Sequence, residues 1–161
     1  MKKNHSIKIP LKNNPYEVII GKNIINKYKK KIFVTIKNAK RIFIITDTTI
    51  KKLHLKKITQ IIPKNFFVKT LVINPGEKMK DIKTVNKILT ILLKNKISRN
   101  DAVFALGGGV IGDVSGFLAS ITLRGINLIH FPTTLWISLV MNKLLVLGKG
   151  EKKRTDQRRQ I

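Results

Sequence analysis

Strand-like and helix-like patterns alternate along most of this sequence, and the alternation restricts the folds that are open to it. Short, almost wholly apolar runs occur at 41–46, 66–73, 102–106 and 126–131. The stretches between them carry apolar residues at three- and four-residue spacing, which is typical of helices with one buried face. Strands that are apolar on both sides are typical of a parallel sheet covered by helices. The sequence therefore predicts βαβ units and an α/β fold.

The remaining elements follow from local periodicity and turn residues. Polar and apolar residues alternate on both sides of an Asn-Asn-Pro turn, which predicts a β-hairpin of 6–11 and 16–20. No repeat or linker interrupts the sequence before residue 135, so residues 1–135 are expected to form one domain. Helices are predicted at 23–28, 48–62, 81–94 and 110–123.

The large positive charge of the chain does not by itself establish nucleic acid as a partner. The 161 residues include 33 Lys and Arg against 8 Asp and Glu, a formal net charge of +25. Such a charge ordinarily indicates nucleic acid as a partner. The basic runs are scattered over 2–3, 29–31, 51–52 and 56–57, and the seven Phe do not alternate with them as stacking platforms would. We attribute the excess of Lys to an AT-rich genome and predict no nucleic-acid partner.

Two further classes of protein are excluded by composition. The chain contains no Cys, so it is not a disulfide scaffold. The longest uncharged stretch, 125–142, is interrupted by Asn127, His130 and Pro132, and it predicts a buried strand followed by a loop, not a membrane span. The basic start lacks the apolar core of a signal peptide. We therefore expect a soluble cytoplasmic protein without membrane contact.

Three unusual segments, 75–80, 107–113 and 132–134, follow predicted strands. Ligands of parallel α/β sheets bind at the carboxyl ends of the strands. At the triple glycine 107–109, the absence of Cβ atoms lets the backbone turn tightly and approach a pyrophosphate, whose charge the N–H groups of the next helix would meet. Glycine at this place also permits close packing of a helix on a strand. From the residues alone, both interpretations stay open.

Acidic residues are scarce, yet Glu77, Asp81 and Asp113 lie in or beside these segments. The simpler interpretation is an exposed ion pair of Glu77 with Lys80 and a helix-start charge for Asp113. Their position at the expected ligand edge favours a functional role for Glu77 and Asp113 as the alternative.

These segments resemble the 3-dehydroquinate synthase family of sugar-phosphate cyclases. The resemblance rests on PGEKMK at 75–80, ALGGGVIGDVSGF at 105–117, RG at 124–125 and FPTTL at 131–135. The Arg-Gly followed by Pro-Thr-Thr favours the synthases over the glycerol and iron-containing alcohol dehydrogenases, which share the glycine turn. The resemblance implies a Rossmann-like parallel sheet with flanking helices, as in the N-terminal domain of that family.

The resemblance also implies an NAD-dependent lyase of the shikimate pathway, which acts on a sugar phosphate. Members convert 3-deoxy-D-arabino-heptulosonate 7-phosphate to 3-dehydroquinate and phosphate, and they are usually homodimers. Glu77 and Lys80 are implied on the adenosine side of NAD, and 109–113 at its pyrophosphate and nicotinamide. No catalytic residue is assigned. The candidate cofactor-binding residues are Asp47, Pro75, Gly76, Glu77, Lys78, Met79, Lys80, Gly107, Gly108, Gly109, Val110, Ile111, Gly112, Asp113, Thr133 and Thr134.

The resemblance ends near residue 135. The family continues into a helical second domain, whose Glu and two His bind zinc or cobalt, and that domain is absent from the printed sequence. His5, His54 and His130 match none of these positions, so no metal ligand is predicted. Residues 136–161 are expected to be a divergent basic tail, out of frame after a frameshift or disordered. The rival interpretation is a basic arm that binds nucleic acid in a salt-sensitive way.

Two functions stay open on this basis. In the first, the protein is a 3-dehydroquinate synthase. In the second, the chain is a non-catalytic remnant that at most binds NAD, because the metal and general-base groups needed for elimination are missing from the residues present.

Overall fold

Seven strands form one sheet in the computed structural model, which describes residues 5–10, 16–21, 24–133 and 144–148. The strands are β1 (His5–Ile9), β2 (Tyr16–Ile20), β3 (Arg41–Asp47), β4 (Phe67–Ile73), β5 (Ala102–Gly107), β6 (Asn127–Pro132) and β7 (Leu144–Gly148). They lie in the order β1-β2-β7-β6-β5-β3-β4.

The half of the sheet made by β4, β3, β5 and β6 is parallel. Each of these strands is followed by a turn at the same edge, so the ends of all four lie together. The predicted parallel sheet with flanking helices is thereby confirmed. The other half is antiparallel: β1 pairs with β2, and β7 lies between β2 and β6. The predicted hairpin is confirmed by the β1–β2 register, which pairs Ile9 with Tyr16.

The helices cover both faces of the sheet because alternate residues of the central strands point to opposite sides. The helices are α1 (Ile24–Lys27), α2 (Lys29–Thr35), α3 (Thr48–Thr59), α4 (Ile82–Lys94) and α5 (Gly109–Ile121). In β3, Ile42 and Ile44 belong to a core with α1–α3, whereas Phe43 and Ile45 belong to a second core with α4 and α5. Every residue of β5 is buried, as expected for a central strand.

Two helix starts are held by carboxylates placed where a helix N-terminus favours them. Asp47 Oδ1 accepts from the backbone N–H groups of Thr49 and Ile50 at 2.9 and 2.8 Å. Asp81 Oδ1 accepts from Thr84 N at 2.6 Å, and these contacts with Thr84 hold the pKa of Asp81 below its usual value. The observed starts of α3 and α4 therefore agree with the predicted ones.

Two elements differ from the sequence predictions. Helix α2 was not predicted, because a lysine run and only one buried residue, Ile32, leave it without a helical apolar stripe. Strand β7 lies inside 136–161, the segment expected to be a divergent tail; the other residues of that segment lie outside the described part of the chain. Among the described residues, no helix is long and apolar enough to cross a membrane.

Candidate functional site

The carboxyl ends of β3, β4, β5 and β6 bring the segments singled out in the sequence to one edge of the sheet. A 3-10 turn at Glu77–Met79 follows β4, and α5 begins two residues after β5. Thr133 N, just after β6, donates to the carbonyl of Gly107 at 2.9 Å. We refer to this group of turns as the carboxyl edge.

Gly107 and Gly109 have different physical roles in the glycine turn. A Cβ on Gly107 would lie 2.4 Å from Ile111 Cγ1, so glycine is required there for α5 to begin immediately above the strand. A Cβ on Gly109 would have no heavy atom within 4 Å. The turn therefore packs tightly on its inner side and is open on its outer side, where the first N–H groups of α5 begin. An anionic ligand fits this arrangement.

Gly112 also permits a close contact, with a side chain that the sequence patterns did not assign to the site. A Cβ at this position would lie 2.5 Å from Cε1 and 2.8 Å from Nε2 of His130. The imidazole of His130 therefore occupies the space beneath the second turn of α5. Burial lowers the pKa of His130, and the nearby carboxylate of Asp113 opposes that shift. Burial therefore favours the neutral form of this imidazole.

Lys80 joins two of the segments through its ammonium group. Its Nζ lies 2.7 Å from Asp113 Oδ2 and 2.8 Å from Glu77 Oε2. The hydrogen bond that Lys80 donates to Asp113, followed by the one it donates to Glu77, raises the pKa of Lys80 above its usual value, so the ammonium stays charged. The bridge links the turn after β4 to the first turns of α5. The predicted ion pair of Glu77 with Lys80 is present, and Asp113 shares the same cation. A functional role for Glu77 and Asp113 stays a prediction.

The loop that carries Lys80 turns at Gly76, whose φ of 113° lies in a region that other residues rarely adopt. A Cβ at this position would have no heavy atom within 4 Å, so the requirement for glycine is conformational, not steric. Further along, the thioether of Met79 accepts from Thr84 Oγ1 at 3.8 Å and attaches the loop to α4.

The structure gives several other predicted site residues a definite position. Asp47 lies at the carboxyl edge, but its Oδ1 caps α3. Ile111 is 1% exposed, so its side chain belongs to the core and only its backbone faces the turn. Pro75, Lys78 and Gly108 lie in the same loops, and Val110 lies in the first turn of α5. Thr134 lies outside the described residues. Cofactor contact by any of these residues stays a prediction.

Sequence reasoning missed three buried polar side chains, those of Thr46, Ser115 and His130, whereas Thr133 was among the predicted residues. Four buried polar atoms have no hydrogen-bond partner among the described residues: Thr46 Oγ1, Ser115 Oγ, His130 Nε2 and Thr133 Oγ1. Thr46 and Ser115 lie in apolar patterns typical of a strand and a helix, and nothing in the spacing distinguishes them. His130 is a lone histidine on β6, and nothing in the sequence placed it at the site before its contact with Gly112 was known.

A metal centre does not fit the described residues as well as an anionic cofactor does. The described part of the chain contains no group of three or more His, Cys, Asp or Glu side chains that is placed to hold an ion. His130 faces Gly112 and not a set of carboxylates. We therefore assign no step to a metal ion.

Comparison with known proteins identifies relatives of this sequence. The family model described as 3-dehydroquinate synthase N-terminal matches residues 70–141. The 3-dehydroquinate synthase of Clostridium botulinum (strain Alaska E43) is 41% identical over 128 residues, which cover 79% of this chain and 36% of that protein. The chain spans about a third of the length of the curated relatives it matches.

Solved structures give the same fold. A crystal structure of 2-deoxy-scyllo-inosose synthase matches with a TM-score of 0.72 and 25% identity, over 81% of this chain and 36% of that one. A 2-epi-5-epi-valiolone synthase from Streptomyces hygroscopicus, solved with NAD+ and Zn2+ bound, matches with a TM-score of 0.55 and 25% identity, over 65% of this chain and 29% of that one.

Proposed function

This chain belongs to the 3-dehydroquinate synthase family, and on that premise we propose that its α/β unit binds NAD at the carboxyl edge of the sheet. The observation that carries the proposal is the Lys80 bridge beside the open glycine turn. The bridge holds the loop after β4 against the helix whose N-terminus faces the cofactor. NAD bound to a solved member of the related cyclases supports this assignment.

The residues at the glycine turn and the adjoining loop have different roles in binding NAD. The open side of Gly109 lets the pyrophosphate approach the backbone, and the first N–H groups of α5 meet its charge. Gly107 and Gly112 keep that helix close to β5 and β6. Lys80 supplies a cation and holds the carboxylate of Glu77, which is well exposed and able to accept a hydrogen bond from a ribose hydroxyl.

The proposed reaction is the conversion of 3-deoxy-D-arabino-heptulosonate 7-phosphate to 3-dehydroquinate and phosphate. Bound NAD supplies reversible oxidation of a substrate hydroxyl, which acidifies the adjacent C–H bond so that phosphate can leave. The contribution of the described residues is to bind and orient the cofactor. The sugar-phosphate substrate and a homodimeric assembly follow the family and are proposed on the same premise.

The test of cofactor binding is a calorimetric titration of the 161-residue chain with NAD. We expect Lys80→Gln to weaken binding about tenfold, because the loop is no longer held to Asp113. The control is Lys87→Gln, which removes an exposed charge on α4 away from the bridge and should bind NAD as the unmodified chain does. Equal affinities for both variants, or no saturable binding, would refute the site.

A second candidate function is NAD binding without turnover, which is favoured by the lack of a metal-ligand cluster in the described part of the chain. Phosphate release from the heptulosonate substrate distinguishes the two, measured with NAD and either Zn²⁺ or Co²⁺. Release above a control without NAD supports the synthase. Saturable NAD binding without any release supports the second candidate.

A further inference from the structure

A cavity of about 360 Å³ opens at the amino ends of β3 and β4, at the opposite edge of the parallel strands from the glycine turn. Its walls come from the start of these two strands and from the end of α4. We refer to it as the amino-edge groove. None of the residues that line it is acidic. The neutral part of the lining includes Asn95 and the half-exposed ring of Phe67. The cationic side chains in its lining are Lys40, Arg41, Lys94 and Lys96.

A buried carboxylate, that of Asp101, holds the backbone of two residues that line the groove, Lys40 and Arg41. Asp101 is 0% exposed, and its Oδ1 accepts from the backbone N–H groups of Lys40 and Arg41 at 2.9 and 2.8 Å. Its Oδ2 accepts from Ser98 N at 2.7 Å and lies 3.8 Å from Arg41 Nη1. The negative charge of Asp101 is therefore used inside the fold, where it positions the start of β3.

The three lysines have no neutralising partner within the part of the chain that the structure describes. Lys40, Lys94 and Lys96 form no ion pair with any residue that the structure describes. The end of α4 offers only the partial negative charge of a helix C-terminus, about half an elementary charge. Three cations on one concave surface repel each other, and a bound anion would relieve that repulsion.

The backbone at Lys96 supplies an independent observation. Helix α4 ends in a Schellman motif, in which Lys96 N donates to Leu93 O at 2.9 Å and Ile97 N donates to Leu92 O at 3.2 Å. The residue at the left-handed position of this motif is ordinarily glycine, but here it is Lys96, with φ of 54°. A lysine is thus held in an unfavourable conformation at the rim of the groove, and its side chain is retained there at a cost to stability.

We propose that the amino-edge groove binds a small anion that carries two or more phosphate groups. A cavity of this size suits a small molecule, because ligand pockets begin at about 300 Å³. A nucleic-acid backbone is less compatible with the observations, since the other basic runs of the chain are scattered and form no stripe leading from the groove. The proposed site is separate from the NAD site and does not depend on it.

The test is calorimetric titration of the full chain with inorganic pyrophosphate at constant ionic strength, without NAD, because NAD itself carries two phosphate groups and would compete for the groove. We expect saturable pyrophosphate binding that is at least tenfold weaker in Lys94→Gln/Lys96→Gln. The matched control is Lys29→Gln/Lys30→Gln, which removes the same charge from exposed positions on α2. It should change the affinity less than twofold. Equal weakening in both double variants would show nonspecific charge attraction and overturn the proposal, as would the absence of saturable binding.

A single substitution separates the function of Lys96 from its effect on folding. Lys96→Gly should raise the melting temperature by about 2 to 4 °C, because glycine tolerates the left-handed conformation. The same variant should weaken pyrophosphate binding at least threefold. Unchanged affinity would show that Lys96 has no part in the site. Duplex DNA is the competing ligand in this test. If it displaces pyrophosphate and also binds the Lys29→Gln/Lys30→Gln variant more weakly, the chain has an extended nucleic-acid surface, and the small-anion site is refuted.

Discussion

The two edges of the parallel sheet use charge in opposite ways. At the carboxyl edge, one ammonium, that of Lys80, is shared by two well-exposed carboxylates, those of Glu77 and Asp113. At the amino edge, the carboxylate of Asp101 is buried, and the lysines of the groove are exposed. The first edge thus offers an anion its backbone N–H groups and open glycine turn, whereas the second offers side-chain charge.

This difference predicts different responses to substitution. A site that depends on backbone approach is sensitive to added atoms, because a Cβ fills the space that the ligand or a neighbouring side chain needs. A site that depends on side chains is sensitive to lost charge, while its scaffold depends on the buried group beneath it. The predictions below test this distinction, in order of decreasing effect.

The largest effect is expected at the amino edge from Asp101→Ala. The change leaves three backbone N–H groups without their acceptor at a buried position and should lower the free energy of unfolding by about 3 kcal/mol. Urea denaturation measures the loss. Asp101→Asn, which retains one acceptor oxygen, should lose less than half as much. A loss below about 1 kcal/mol for the alanine variant would mean that Asp101 does not organise this edge.

A smaller effect is expected at the carboxyl edge from Gly112→Ala. The new Cβ would lie 2.5 Å from the His130 ring, and overpacking of this kind costs about 1 to 3 kcal/mol of unfolding free energy. The matched control is Gly116→Ala on the same helix, where a Cβ would have no heavy atom within 4 Å. That substitution should stabilise the protein by about 0.5 to 1 kcal/mol through helix propensity.

The cause of the Gly112 effect can be isolated by removing the ring. In a His130→Ala background, Gly112→Ala should cost little, because the methyl group then enters the vacated space. Equal costs in the two backgrounds would place the clash elsewhere.

The smallest effect concerns pH. Since burial lowers the pKa of His130, the unfolded chain takes up a proton that the folded chain does not. The contribution of this group is constant above the ordinary histidine pKa of about 6.5 and falls as the pH drops from there towards the folded-state pKa. Urea midpoints measured between about pH 5 and 8 should therefore decrease more steeply on the acid side for the unmodified chain than for His130→Gln. Superimposable profiles would rule out this role for His130.

Much of the fold was predictable because it follows from local patterns. The fully apolar runs at β3 and β5 need cover on both faces, which requires a central position in the sheet. The amphipathic spacing in α4 and the acidic residue before it gave the position of that helix within one residue. Because parallel strands end at one edge, the segments 75–80 and 107–113 were also correctly expected to lie together.

The remaining features depend on contacts between distant parts of the chain. The sequence pattern indicated a pair of Glu77 with Lys80, three residues apart, but the contact of Lys80 with Asp113 exists only once two loops meet. Asp101 follows a turn and is polar, which is typical of an exposed residue, yet it is completely buried. Strand β7 lies between β2 and β6, and its partner β2 lies more than 120 residues earlier in the chain. No local signal specifies such a pairing.

The sequence by itself therefore determined the alternation of strands and helices, the parallel half of the sheet and the edge at which the candidate ligand-binding segments meet. It did so because hydrophobic period and glycine placement are local properties of the chain. Only the tertiary structure decided which charges are paired, which are buried and which are left exposed. A titratable group acquires its surroundings from residues that are distant in sequence, as Asp101 and His130 show.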